Sequence, residues 1–321
     1  MAVLDMGTNA LRLLLVQTNS FHLNMPGNRA VDSVQAPFEV LVRTRLNTRL
    51  GEGLSVTSPP LLIPAAQTRA REAVEKLQAQ AQALGAEAVV LVATHACRQA
   101  LNGEEFVNRL ARACRLTQAR IISAEEEARL TRLGVGLVLQ GSRKGAWVLD
   151  IGAGSCELAP FDNNSAGMYL PWGCLNLKEK LAPGDPPDPA EIAALRSFLA
   201  PLLVVKGKAE RLVVTSGTSS TLAALDLGLS RYEPEQINNH IVSAENLAAI
   251  FENLAGQNLD QRRRSLGQAA DRADIIVIGL LMTQEILRVL DLRELTVINA
   301  GILEGCALDY LRKKDSAPPP G

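Results

Sequence analysis

A six-residue pattern occurs twice in this chain. Ala2-Val3-Leu4-Asp5-Met6-Gly7 aligns without gaps on Trp147-Val148-Leu149-Asp150-Ile151-Gly152, 145 residues further on. Each copy is a short apolar run that ends in an aspartate and a glycine, which reads as a strand whose carboxyl end opens into a tight turn. A second strand-like stretch follows each copy, Leu11 to Val16 and Cys156-Glu157-Leu158. An offset of one domain length points to two related domains, each opening with the same strand-turn-strand unit.

The remaining composition agrees. A chain of 321 residues is long for one hydrophobic core and suits two domains of about 100–200 residues with a cleft between them. Hydrophobic residues make up 47% and aromatics 3%, so the cores must be aliphatic, and stacking platforms for nucleic acid are scarce. The formal net charge of -1 supplies no global field to recruit a polyanion or an acidic membrane, so any anionic ligand must be held by local groups. No DNA partner is expected. Five cysteines, Cys97, Cys114, Cys156, Cys174 and Cys306, lack zinc-ligand spacing and read as buried thiols of a reducing compartment. The opening residues carry no signal-peptide pattern, and no apolar run is long enough to span a bilayer, so a soluble cytoplasmic protein is expected.

Between the repeats, Gln17 to Ala36 reads as a loose hairpin region and Phe38 to Arg43 as a strand. Helical spacing predicts a helix over Gln67 to Leu84, closed by Gly85. A strand over Ala88 to Val92 leads to Arg98, and Gly103 to Cys114 reads as a helix. Ser123, with Glu126 three residues on, makes a capping-box pattern at a helix start. In the second half, Arg211 to Thr215 is a strand running into Ser216-Gly217-Thr218 and a helical segment. Ala273 to Leu290 reads as a long apolar helix and Leu295 to Ile298 as the last strand. Arg262-Arg263-Arg264 reads as a solvated loop face, Pro183 to Pro189 as a surface connector, and residues 314–321 as a disordered tail.

Phosphate is best held by backbone N–H groups at tight turns built from small residues. Gly7-Thr8-Asn9 and Gly152-Ala153-Gly154-Ser155 have that character, and Gly217-Thr218 opens a third such turn. An aspartate ahead of each glycine would repel phosphate unless a divalent cation lay between them, which makes Asp5 and Asp150 candidates for the metal side, with Glu157 beside Asp150. Arg98, after a strand end, is a candidate phosphate clamp. An Asp-x-Gly turn is a common structural device, and acidic residues such as Glu125-Glu126-Glu127 also suit a helix start electrostatically. The two aligned turns together with the Gly217 loop carry more than any one of them.

The order of motifs resembles that of the exopolyphosphatase/guanosine pentaphosphatase (Ppx/GppA) family from Asp5 to about Tyr310. The family's Asp-x-Gly-Ser-Asn-Ser-x-Arg pattern is matched by Asp5 to Arg12, and its Ala-Thr-Ser-Ala-x-Arg pattern by Ala93 to Arg98. Ile-Ser-Gly-x-Glu-Glu-Ala-Arg falls on Ile122 to Arg129, and Asp-x-Gly-Gly-Gly-Ser-x-Glu on Asp150 to Glu157. Leu170-Pro171-Trp172-Gly173, Arg272-Ala273-Asp274 and Gly301-Ile302-Leu303-Glu304-Gly305 follow in order.

The resemblance implies an α/β protein of two ribonuclease H-like domains of the actin/sugar-kinase superfamily with an interdomain cleft. Domain I would span residues 1–118 with a C-terminal helix at about 303–313, and domain II residues 119–302. It implies a homodimer that releases orthophosphate from inorganic polyphosphate or guanosine pentaphosphate. Mg²⁺ would sit near Asp150 and Glu157, and Glu126 would act as general base. A sugar or acid kinase of the same superfamily, and a polyphosphate or guanosine polyphosphate binder without turnover, are the alternatives. The chain departs from the pattern at Ala10, His95, Ala124, Ala153, Ser216 and Leu303. If position 124 or 153 requires a positive φ, alanine there is strained by about 1 kcal/mol or more.

Overall fold

The computed structural model describes residues 1–18, 37–162, 167–181 and 183–316. The hairpin region expected over residues 17–36 therefore lies almost wholly outside the described residues. The chain forms two compact units: Met1–Leu50, Leu61–Gly141 and Ala300 onward, and Gly51–Pro60 with Ser142–Asn299.

The first unit opens with β1 (Ala2–Met6), β2 (Ala10–Thr18) and β3 (Phe38–Asn47), an antiparallel meander. Helix α1 (Pro64–Ala83) starts on a proline at its first turn and buries Ala73, Val74, Leu77 and Ala81 of the stripe its spacing predicts, while Leu84, expected on the same face, is the exposed C-cap; Gly85 follows at φ +82°. Next come β4 (Val89–Ala93), α2 (His95–Gln99), α3 (Gly103–Ala113), β5 (Gln118–Ile121) and α4 (Ala124–Val135). The sheet order is β3-β2-β1-β4-β5, with β4 and β5 parallel to β1.

The second unit repeats this plan with β6 (Ala146–Ile151), β7 (Cys156–Pro160) and β8 (Met168–Leu170), followed by α5 (Cys174–Leu181) and α6 (Pro189–Leu199). Then come β9 (Arg211–Thr215), α7 (Gly217–Asp226), α8 (Pro234–Ile237), β10 (His240–Ser243), α9 (Ala244–Ala255), α10 (Leu259–Leu266), α11 (Ile276–Val289) and β11 (Glu294–Ile298). The order β10-β11-β9-β6-β7-β8 contains the same meander and the same two parallel neighbours, with β10 added at one edge. Two α/β units of ribonuclease H-like topology result, as the family resemblance implies. No helix among the described residues is long and apolar enough to cross a membrane.

The chain returns to the first unit as α12 (Ile302–Ser316), which packs along α4. Gly134 of α4 lies against the Gly301 carbonyl, and Gly305 of α12 against the Leu130 carbonyl, so closely that a Cβ at either would collide with backbone. This packing corrects the expected domain boundary: residues 119–141 belong with the first unit, because α4 is clamped to α12. The disordered tail expected from residue 314 is corrected at its start, since α12 runs to Ser316; residues 317–321 lie outside the described residues.

Two further expectations change. Arg262 is not solvated: it is 5% exposed, donates Nε to Ala273 O (2.8 Å) and Nη1 to Gln257 O (2.7 Å), and pairs with Asp185. The predicted helix from Ala273 begins only at Ile276, after a 3-10 turn over Gly267–Arg272, with Arg262 holding the Ala273 carbonyl between them.

Candidate functional site

The two Asp-headed turns are built alike. Gly7 N–H donates to Ala10 O at 3.0 Å, and Gly152 N–H to Ser155 O at 2.9 Å, so each turn is closed by the same four-residue bond. In the first turn Thr8 and Asn9 are buried. The Asn9 carbonyl accepts from Thr48 and Arg49, while its side-chain Oδ1 is buried with no hydrogen-bond partner among the described residues.

The second turn is held from behind by α5. The Gly152 carbonyl accepts from Cys174 N–H at 3.1 Å, the Ala153 carbonyl from Leu175 N–H at 2.8 Å, and the Gly154 carbonyl from Asn176 Nδ2 at 2.7 Å. Asn176 in turn accepts the Gly173 N–H through Oδ1 at 2.6 Å. In a planar trans peptide the N–H points opposite to the preceding C=O. Three carbonyls fixed on α5 therefore turn the N–H groups of Ala153, Gly154 and Ser155 away from that helix. Ala124 and Ala153 are absent from the positive-φ positions of the described residues, so neither carries the strain considered above.

The third loop is organised differently. Ser216 Oγ accepts from Thr218 N–H (3.1 Å) and Ser219 N–H (3.2 Å), which caps the start of α7. The Arg272 guanidinium lies directly on Gly217, where a Cβ would overlap it. Gly217 is thus needed for the close approach of a cation, and the Thr218 amide is already satisfied by Ser216. Lys178 of α5 lies 3.4 Å from Asp274.

The strand register sorts the charges. In the first unit Arg45, Arg12, Asp5, Val92 and Arg120 stand opposite one another in one row across the five strands. Asp5, 1% exposed, receives Arg12 Nε at 2.6 Å and pairs with its Nη2 as well. In the second unit the matching row is Tyr169, Glu157, Asp150, Thr215 and Ile298. Asp150 thus faces a second carboxylate where Asp5 faces a guanidinium. Of the three candidates for the metal side, Asp150 and Glu157 are brought together and Asp5 is committed to Arg12.

Mg²⁺ fits Asp150 and Glu157. Residues opposite one another on antiparallel strands have Cβ atoms about 5 Å apart, near enough for one cation to reach both carboxylates. No group of three or more acidic, histidine or cysteine side chains forms a cage among the described residues. One or two carboxylates, completed by water and substrate phosphate, is the usual Mg²⁺ arrangement. Burial against these carboxylates drives the Cys156 thiol well up in pKa, and burial pushes Cys174 up to about 12, so neither thiol is a nucleophile.

Arg98 donates Nη1 to the Ile122 carbonyl (2.8 Å) and to Glu127 Oε2 (3.0 Å), tying α2 to the turn that launches α4. Ser123 caps α4 by accepting the Glu126 N–H at 3.2 Å, as its spacing predicts. The Glu126 carboxylate does not complete the capping box. Its Oε1 accepts Arg120 Nη1 at 2.6 Å, with Arg129 Nη2 at 3.8 Å, and its Oε2 has no partner among the described residues. Sequence reasoning gave no role to Arg120 in the first unit or to Asn176 and Arg272 in the second. Only the equal seven-residue spacing of Asp5–Arg12 and Asp150–Glu157 around aligned turns could have signalled the paired rows.

Two ribonuclease H-like units, each presenting an Asp-headed turn, define the fold of the actin/sugar-kinase superfamily. Within it, this chain belongs to the Ppx/GppA phosphatase family, whose model matches residues 29–314. It is 29% identical to "Exopolyphosphatase 2" of Mycobacterium tuberculosis over 96% of this chain and 97% of that protein. A Ppx/GppA family member of Aquifex aeolicus has a crystal structure with a TM-score of 0.78 at 25% identity, over 98% of both chains. An exopolyphosphatase from Cytophaga hutchinsonii shares the fold with a TM-score of 0.84 at 20% identity, over 97% of both chains.

Proposed function

We propose that this protein is an exopolyphosphatase-type phosphohydrolase that releases terminal orthophosphate from inorganic polyphosphate, with guanosine pentaphosphate as a second substrate and Mg²⁺ as cofactor. Membership of a phosphatase family and relatives called exopolyphosphatases support the substrate class. The observation that carries the mechanism is the grip on Glu126: one carboxylate oxygen is fixed by Arg120 and the other is left to a ligand. A general base needs that division, because one oxygen must hold orientation while the other takes a proton.

In the reaction, water attacks the terminal phosphorus in line, its proton passes to Glu126 Oε2, and the bridging oxygen leaves with the shortened chain. On the second unit, the amides of Ala153, Gly154 and Ser155 are donors for phosphate oxygens of the chain. Bound at Asp150 and Glu157, Mg²⁺ supplies neutralisation of the phosphate charge.

The test is orthophosphate release from polyphosphate, guanosine pentaphosphate and ATP in parallel, with and without Mg²⁺, by wild type and Glu126→Gln. Release by the wild type, falling by about 10²–10⁴-fold in the variant, is expected. Polyphosphate binding with no release by the wild type would overturn the hydrolase reading, and phosphorylation of an added acceptor would replace it with a kinase. Full activity in Glu126→Gln would remove Glu126 as base.

A further inference from the structure

The charged groups around Glu126 are unequal in what else they do. Arg129 reaches it only at 3.8 Å through Nη2, because its Nη1 is held by Asp309 Oδ1 at 2.9 Å, and Asp309 Oδ2 is itself taken by Lys313 at 2.8 Å. Arg129 is therefore part of the seam between α4 and α12. The Glu125 carboxylate turns to the α4 cap at Ser123, and Glu127 is paired with Arg98. Cys306 on α12, buried, senses Asp5, Arg120, Asp309 and Glu126 but carries no charge. Among the described residues, Arg120 alone makes a close, charge-assisted bond to Glu126, at 2.6 Å.

Arg120 comes from a rigid place. It sits on β5 opposite Val92, the central strands place Val92 opposite Asp5, and Val92 packs with Ile122, Leu130, Ile302 and Leu303 under α4 and α12. The arginine is thus carried on the sheet, while Glu126 is carried on the first turn of a helix that lies over that sheet. Each side chain is 29% exposed, so the pair is open to a ligand. An exposed ion pair of this kind adds little to stability, yet its geometry fixes which Glu126 oxygen faces outward.

We infer that Arg120 is a positioning residue for this hydrolase: it holds Oε1 so that Oε2 is presented to the attacking water. The inference rests on the reading of Glu126 as general base. Its signature is a loss in kcat with little change in KM, because the arginine acts on the base and not on the bound substrate. A charged replacement should restore part of the function, whereas a packing role would not depend on the charge.

The experiment measures kcat and KM on polyphosphate with Mg²⁺ for the full chain as wild type, Arg120→Gln, Arg120→Lys, Glu126→Gln and the double variant Arg120→Gln/Glu126→Gln, with thermal melting of each. Arg120→Gln should lose on the order of tenfold in kcat, as expected for a misplaced catalytic group, with KM within about twofold. Arg120→Lys should recover most of the loss, and Arg120→Gln should cost nothing further once Glu126 is Gln. Unchanged kcat in Arg120→Gln, or an equal loss in both backgrounds, would overturn the inference. Wild-type kcat in Glu126→Gln would instead sink the base reading, which separates the two failures. Should Arg120→Gln fail to fold, Arg120→Met, which keeps the apolar stem without the charge, decides: a kcat about tenfold lower supports the positioning role and unchanged kcat refutes it.

Discussion

Glu157 stands opposite Asp150 in the β6–β7 register, at the place that Arg12 holds opposite Asp5 in β1–β2. The two units repeat the strand, the turn and its closing bond, and differ in the charge across the pair. In the first unit the aspartate is paired with Arg12; in the second, the residue opposite it is another carboxylate. The duplicated scaffold has been divided into a basic row and an acidic row.

That division predicts unequal responses to mutation. Glu157→Gln and Asp150→Asn should each weaken Mg²⁺ binding at least tenfold by calorimetric titration, whereas Asp5→Asn should leave the Mg²⁺ affinity within about twofold and lower stability instead, since it removes the buried carboxylate that accepts from Arg12. A large loss of Mg²⁺ affinity in Asp5→Asn would show that the first turn also binds the metal.

The second turn depends on what supports it more than on its own glycine content. Ala153→Gly should change kcat by less than about threefold and stability by under about 1 kcal/mol, because Ala153 already has an ordinary φ. Gly173→Ala should be severe, since the new methyl would run into the backbone of Gly152, Ala153 and Gly154. Phosphate-chain affinity and melting temperature, measured on both variants, test this ordering.

The seam between α4 and α12 should tolerate no added methyl. Gly305→Ala or Gly134→Ala forces a Cβ into a backbone carbonyl and should cost about 1–3 kcal/mol or more in urea unfolding. Because α4 carries Glu126, the loss should be accompanied by lower kcat. Wild-type stability in both variants would mean that the helices separate freely.

His95 gives the fold a pH dependence. Burial, with the Arg98 charge next, lowers its pKa from 6.5 to about 4. Between those values the unfolded chain binds a proton that the folded chain does not. Stability is therefore full above about pH 6.5 and falls as the pH drops towards 4, by on the order of 3 kcal/mol. His95→Gln should flatten this slope in urea titrations across pH 4 to 7; an unchanged slope would assign it to other groups.

Much of the fold was legible because its signals are local. Apolar runs, a glycine after an aspartate, the α1 stripe and the Ser123 cap each act within a few residues, and the repeat declared the duplicated topology. The position of Glu126 on the first turn of α4 was legible for the same reason. The domain boundary was not, because the Gly134 and Gly305 contacts that bind α4 to α12 join residues far apart in the chain. Nor was burial of Arg262, whose partners Asp185, Gln257 and Ala273 are assembled only by packing.

By itself the sequence determined that the chain folds as two related α/β units with an aspartate and small residues at the head of each, since strand, turn and cap preferences are written in neighbouring residues. Tertiary structure decided how each aspartate is used. Strand register set Arg12 against Asp5 and Glu157 against Asp150, the carbonyl bonds to α5 turned the second loop's amides outward, and the approach of β5 to α4 joined Arg120 to Glu126. Charges act through space, and distance in space is what the folded chain alone supplies.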